Sequence, residues 1–226
     1  NMTTIKNSLE SLFKQSFKNI EIIIYSDGSN DLSDKIVEKI IKKKNNFLFL
    51  KSNKNQGLTK SLNYMLKFSR ARYIARHDAD DISNKDRFKH QINFLKKNKN
   101  IQVLGTNAIH KSYKKKYIQV PEKNFDIKNK LSYQNVIIHS SIIILKDILI
   151  KNKYDKNFTR CQDYELWLRI KKFTNFYNLQ KYLVIREIRN NQFSFQDLYF
   201  SSLARFKHIN ILESCLFGLK DFLYFL

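Results

Sequence analysis

Short apolar runs alternate with stretches of helical periodicity through the first half of this chain. That rhythm limits the folds open to it more than any other feature. Residues 20–25 form an apolar run broken only by Glu21, and the turn-forming Ser26-Asp27-Gly28-Ser29 follows. Residues 31–44 then place Leu32, Ile36, Val37, Ile40 and Ile41 at helical spacing. Ahead of both, residues 7–17 carry Leu9, Leu12, Phe13 and Phe17 at the same spacing. Residues 47–50 read as a strand, 58–69 as a helix, 71–75 as a strand, 85–97 as a helix and 101–106 as a strand. This βαβα order predicts an α/β fold: a parallel sheet with helices on both faces.

The second half is less regular. Residues 108–120 suit a hairpin around a Lys-rich tip, 140–145 a strand, and 163–173 a helix with Leu166, Trp167 and Ile170 on one side. Residues 179–186 read as a strand and 194–212 as a long helix. No repeat is present, and the only proline, Pro121, marks no hinge. A chain of 226 residues is long enough for one domain with a real core.

Composition excludes several classes. Hydrophobic residues at 42% and aromatic residues at 14% argue against disorder. Cys161 and Cys215 lie far apart and match no metal or redox spacing, which predicts a reduced, cytoplasmic setting. No apolar run is long enough to span a bilayer, and the opening residues carry no signal-peptide pattern. The formal net charge is +22, from 42 Lys and Arg against 20 Asp and Glu, and only nine of the cations are Arg. Abundant Asn, Ile, Phe and Tyr fit the codon drift of an AT-rich genome, so part of this charge is background. The alternative is attraction to nucleic acid, anionic lipid or nucleotide phosphates. The runs 42–44 and 114–116 read as solvated surface and loop tips. With no nucleic-acid motif, nucleic acid is not an expected partner.

Against that basic background, Asp78, Asp80 and Asp81 fall within four residues, between a strand and a helix. Carboxylates at the carboxyl end of a strand sit where open α/β sheets bind ligands. Hard oxygen donors suit Mg²⁺ or Mn²⁺, and those ions suit substrate phosphates. The same residues also suit a solvated turn that caps the next helix. Asp27 lies at a second strand end, placed to accept from a ribose or a base N–H, or to serve the turn. Gly57, in Asn55-Gln56-Gly57, either lets backbone approach a ligand or only makes the turn. Asp163 on its own reads as a helix cap, and Trp167 reads as core.

Three stretches, in their order and spacing, resemble the family 2 glycosyltransferases, which have the GT-A fold. They are NIEIIIYSDGSND at 19–31, ARHDADDIS at 75–83 with RFKHQINFL after it, and CQDYELWLRI at 161–170. The resemblance runs from residue 1 to about 186. It implies a Rossmann-like, mostly parallel sheet in a catalytic domain at 1–186, with a helical extension at 187–226. It also implies an inverting enzyme that moves a sugar from a nucleotide diphosphate donor, a UDP-sugar foremost, to an acceptor hydroxyl. By matching, Asp27, Asp78 and Gly57 fall to the nucleotide, and Asp80 with Asp78 to Mn²⁺ or Mg²⁺. Asp81 stands ready to share that role. Asp163 matches the catalytic base, His139 a segment lining the acceptor side, and Arg76 either a phosphate partner or a balance for the carboxylates. The acceptor implied is a saccharide or a lipid-linked sugar in surface polysaccharide or glycolipid synthesis.

The chain departs from the family pattern at Arg72, where Gly is common, at Gln162, where Glu is common, and at 83–85, which lack the usual Pro. It also begins after the place of the family's first, central strand, which is expected to be missing. Residues 215–226, CLFGLKDFLYFL, are too short to cross a bilayer. They are expected either to lie on an anionic membrane, putting the protein peripherally at its inner face, or to pack on the domain.

Overall fold

Residues 2–29, 31–42, 44–111, 116–187 and 194–209 are described by the computed structural model. In chain order the elements are α1 (Met2–Phe13), β1 (Ile22–Asp27), α2 (Ser33–Ile41), β2 (Phe47–Ser52), α3 (Leu58–Met65), β3 (Tyr73–Ala75), β4 (Ile82–Ser83) and α4 (Arg87–Lys97). There follow β5 (Val103–Lys111), β6 (Lys116–Ile118), α5 (Asn124–Leu131), β7 (Ile143–Leu145), α6 (Lys146–Asn152), α7 (Gln162–Ile170), β8 (Phe176–Glu187) and α8 (Phe195–His208). Short 3₁₀ turns occupy Leu66–Phe68 and His139–Ser141.

The α/β class holds, but the expectation of a mostly parallel sheet is corrected. Among the described residues β1 and β2 form a parallel pair, and a second sheet runs in the order β3-β7-β5-β8-β4 with β6 on β5. In that second sheet only β5 and β8 run parallel, while β3/β7, β5/β7, β5/β6 and β4/β8 are antiparallel. The apolar rhythm marks where strands are but not which way they run, and the β5–β6 hairpin turns straight back on itself.

Strand direction places the site. β3 opposes β7 and β7 opposes β5, so β3, β5 and β8 point the same way. Their carboxyl ends open on one sheet edge. β4 opposes β8, so the loop entering β4 reaches that edge too.

Side-chain alternation along the strands builds a layer on each face. Val103, Ile144 and Phe176 pack with Leu62 of α3, Ile127 and Leu131 of α5, Leu149 of α6, Trp167 of α7 and Ala204 of α8. Leu104 and Ile143, with Tyr73 and Tyr177, pack on Leu12 of α1 and on Phe88 and Leu95 of α4. Helices therefore cover both faces, as expected.

β1 and β3 are not joined by a ladder among the described residues. At their amino ends they are tied by Glu21, whose carboxylate accepts from the backbone N–H of Arg70 (2.7 Å) and Ala71 (2.9 Å).

α8 begins with a capping box between Ser194 and Asp197, and Asp197 also pairs with Arg160 at 2.9 Å. At the other end of α8, His208 meets Glu165 of α7 at 2.8 Å. Glu165 is fully buried and also takes both Nε and Nη2 of Arg169 at 2.8 Å. Residues 112–115, 188–193 and 210–226 lie outside the described residues, and with them Cys215 and the apolar segment 215–226. Among the described residues no helix is long and apolar enough to cross a membrane.

Candidate active site

The acidic turn is half-buried, with Asp81 fully inside, and it does not cap the next helix, whose N-cap is Asp86. After β3, the Arg76 N–H still donates to Ile142 O (3.0 Å), and the chain then turns so that the Asp81 N–H donates to Asp78 O (3.1 Å). Asp81 is 2% exposed, and burial pushes its carboxyl up to about 6. Its Oδ2 has no hydrogen-bond partner. Burial also works against the Asp78 carboxylate. There the charges of Arg76, which is in direct contact, and of His139 and Arg186 win, holding Asp78 below its usual range.

A buried polar network fixes this turn. His77 sits between Ser8 Oγ of α1 (2.8 Å) and Ser83 Oγ of β4 (3.1 Å), and burial, with Arg87 nearby, pulls it down to about 3, so it stays neutral. Arg87, fully buried, donates to Ser83 Oγ (2.9 Å), Gln91 Oε1 (3.1 Å) and the carbonyl of Arg76 (2.8 Å).

Asp163 enters from α7. The chain reaches that helix through Cys161, whose φ of 52° is a left-handed backbone rare outside glycine. Asp163 lies in the first turn but makes no side-chain cap, so the cap reading is not realised. Its Oδ2 accepts instead from Asn135 Nδ2 at 2.8 Å, and the negative charge sits favourably at a helix start. His139 is the hub between this residue and the acidic turn. Burial lowers its basicity, Asp163 and Asp78 raise it, and Arg76 and Arg186 lower it again, so all four charges act on one ring. Its Nε2 bonds Tyr154 Oη at 2.8 Å, and its ring meets the edge of buried Trp167.

Asp27 and Gly57 form a separate group. Asp27 Oδ1 accepts from the Gln56 N–H and Oδ2 from the Gly57 N–H, both at 2.8 Å. Gly57 is the N-cap of α3 and has no side chain to cap with, so Asp27 supplies the cap from β1. Gly57 takes a φ of +91°, strained for any other residue, yet nothing lies within 4 Å of a Cβ there. Gly28, at φ +70°, is tighter: a Cβ would come within 2.6 Å of the Asn55 backbone nitrogen. Among the described residues no hydrogen bond or ion pair joins this group to Asp78 or Asp163.

Sequence reasoning missed Arg87, His77, Tyr154, Asn135 and Arg186. All but Arg186 act through a neighbour rather than through a motif, and only the register of β8 brings Arg186 beside the turn. As to a metal, no group of three or more His, Cys, Asp and Glu among the described residues forms a cage. Asp78 and Asp80, with the unpartnered Oδ2 of buried Asp81, still fit a hard ion. Such an ion takes one or two carboxylates and completes its shell with substrate phosphates and water.

The sequence profile of the family described as "Glycosyl transferase family 2" matches residues 2–160. The Escherichia coli UDP-Glc:alpha-D-GlcNAc-diphosphoundecaprenol beta-1,3-glucosyltransferase WfaP is 32% identical over 178 residues, 74% of this chain and 64% of that protein. Among solved structures, S. aureus TarS 1-349 in complex with UDP-GlcNAc superposes with a TM-score of 0.71 at 19% identity, covering 92% of this chain and 64% of that one. The mannosyltransferase PcManGT from Pyrobaculum calidifontis, in complex with GDP-Man and Mn²⁺, gives 0.67 at 11% identity, covering 98% and 61%. The chain spans 59% of the length of an archaeal relative and 30% to 64% across eight curated relatives.

Proposed function

Since the chain belongs to glycosyl transferase family 2, with a GT-A fold, we propose that it moves a sugar from a nucleoside diphosphate donor to an acceptor hydroxyl with inversion at the anomeric carbon. The observation that carries this reading is that the charges of Asp78 and Asp163 both act on the buried ring of His139. One carboxylate belongs to the turn that suits a donor's phosphates, and the other to the first turn of α7.

Asp163 is the general base. Inverting transfer needs one carboxylate to take the acceptor's proton as its oxygen attacks. Asn135 holds one oxygen of Asp163, which orients the other. Tyr154 fixes the His139 ring behind it. Asp80 and Asp78 would hold Mn²⁺ or Mg²⁺, and that ion would supply charge stabilisation for the leaving diphosphate. Asp78 exchanges its contact with Arg76 for this role. Asp27 and Gly57 form the nucleotide wall: each Asp27 oxygen has a second acceptor direction left after its amide bond.

A UDP-sugar is the proposed donor, supported by the UDP-GlcNAc bound to TarS and by the UDP-Glc donor for which the E. coli relative is named. That relative's name also supports a lipid-linked acceptor and a place in surface polysaccharide synthesis. A cytoplasmic enzyme peripheral to the inner face of the membrane follows from such an acceptor. Residues 1–186 would be its catalytic part and 187–226 an extension.

The test is donor turnover with purified protein, Mn²⁺ and UDP-sugar. Asp163→Asn should lower turnover by about 10²–10⁴ while Mn²⁺-dependent UDP binding survives. Near-normal turnover in the variant removes Asp163 from the mechanism, and UDP binding that is equal with and without EDTA removes the metal.

A further inference from the structure

We propose that Lys116, His110 and Arg186, aligned across three neighbouring strands, form a phosphate-binding row that leads from the acidic turn to the edge of the sheet. Register makes the row. His110 of β5 is the direct partner of Lys116 on β6 and of Arg186 on β8, so the three side chains leave one face of the sheet side by side. With strands about 4.8 Å apart, the row spans about 10 Å. One step past the Ile82–Ile185 pair, Asp81 stands opposite Arg186, which joins the row to the acidic turn.

The row is a change of chemistry along a continuous face. Two residues further into the sheet along each strand the same face carries Ile118, Ala108 and Val184, packed with Ile138 in a small apolar cluster. At the carboxyl ends of β5 and β8, and the amino end of antiparallel β6 beside them, the face turns basic, on the edge where α/β sheets take ligands.

Lys116 and Arg186 flank the His110 ring on one face, so two cations sit on that face with a weakly basic ring between them. Among the described residues none of the three has a hydrogen-bond or ion-pair partner, and Arg186 Nε is buried without one. The other face, one residue on, is matched: Lys111 pairs with Glu187 at 3.3 Å. Burial, Arg186 and Lys116 all lower the basicity of His110, as expected for side chains that crowd one another. Across the acidic turn Arg186 acts on Asp78 and Asp81, the carboxylates that a bound cation would engage. An anion on the row removes all of these costs. A phosphate fits, because guanidinium and ammonium groups recognise it with strong charge-assisted bonds.

The inference rests on the glycosyltransferase reading only for whose phosphate it is, the donor's diphosphate or one on the acceptor. Calorimetry with inorganic pyrophosphate in metal-free buffer tests the row itself. Lys116→Gln/Arg186→Gln should weaken binding about tenfold or more, while Lys96→Gln/Lys97→Gln, which removes the same charge from α4, should leave it unchanged. Lys116 is exposed, so Lys116→Gln alone gives a weaker loss in a protein that folds, and Arg186→Lys should retain part of the affinity. Equal affinity in wild type and the row variants, equal loss in the α4 control, or no binding by wild type overturns the proposal. UDP and uridine with Mn²⁺ then identify the source. A loss for UDP but not for uridine assigns the row to the donor diphosphate, and an unchanged UDP affinity beside a pyrophosphate loss assigns it to an acceptor phosphate. A wild type that ignores UDP altogether sinks the donor reading, while the pyrophosphate result still judges the row.

Discussion

The molecule contains two parallel ladders, β1/β2 and β5/β8, and they are built in opposite ways. Ile22, Ile23 and Ile24 make β1 as apolar as any strand here, yet all three are only half-buried. Val103, Leu104 and Ala108 of β5 are at most 1% exposed. The ends reverse this order. Asp27, closing the half-buried ladder, has both oxygens satisfied by amides of the next loop. In the buried ladder the last pair, Lys111–Glu187, is bridged at 3.3 Å, but the side chains of His110 and Arg186 just before it have no hydrogen-bond partner among the described residues. Burial of a ladder and satisfaction of its end are thus set separately. Strands on both sides and helices on both faces produce the first, and the loop that happens to pass the end produces the second.

The largest expected effect tests burial. Leu104→Ala opens a void between Phe88, Leu95 and Ile143 and should lower unfolding free energy by about 3–5 kcal/mol in urea titration. Ile24→Ala should cost about 1 kcal/mol, since its side chain already meets water. Equal losses would break the comparison.

Next comes the charge behind the buried ladder. Glu165→Gln strands Arg169 and His208 and should cost about 3 kcal/mol. Burial opposes the Glu165 carboxylate, but His208 and Arg169 overcome it and hold the group below 4.5. Its stabilisation is therefore complete above that value and lost as pH falls through the lowered folded one. Thermal melts of wild type should drop on acidification below about 4.5 more steeply than those of the variant, and parallel curves would count against the pair.

The smallest effect concerns the satisfied end. Asp27→Ala leaves the Gln56 and Gly57 amides to solvent and should cost about 1–2 kcal/mol, with Asp27→Asn costing less. A loss as large as that of Leu104→Ala would mean that the β1 end carries more of the fold than its exposure indicates.

The sequence made the long elements legible, because α2, α4 and α7 show their buried faces as periodic Ile, Leu and Phe. It hid β4, since two residues, Ile82–Ser83, carry no period. It hid α6, seven residues with one buried side chain, and α5, whose buried Ile127 and Leu131 are flanked by Lys and Asn. Asp78 and Asp80 stood out because carboxylates are scarce in so basic a chain, while Asp163 stood out only through its match to the family pattern. Their surroundings did not, since nothing in the order of residues says that Asp81 is buried or that Arg186 falls opposite His110. Register and strand direction decide both, and those are properties of pairs of strands.

The break between β1 and β3 has a consequence for how the protein behaves in company. Each strand offers a row of backbone donors and acceptors that no ladder fills among the described residues, and on β1 that row runs beside three consecutive isoleucines. Such an edge accepts any extended apolar segment, including one from a neighbouring molecule. Like-charge repulsion at +22 keeps neighbours apart in dilute, low-salt solution. Salt screens that repulsion without touching backbone hydrogen bonding, so the conditions that relax the charge are those in which molecules would begin to share strands.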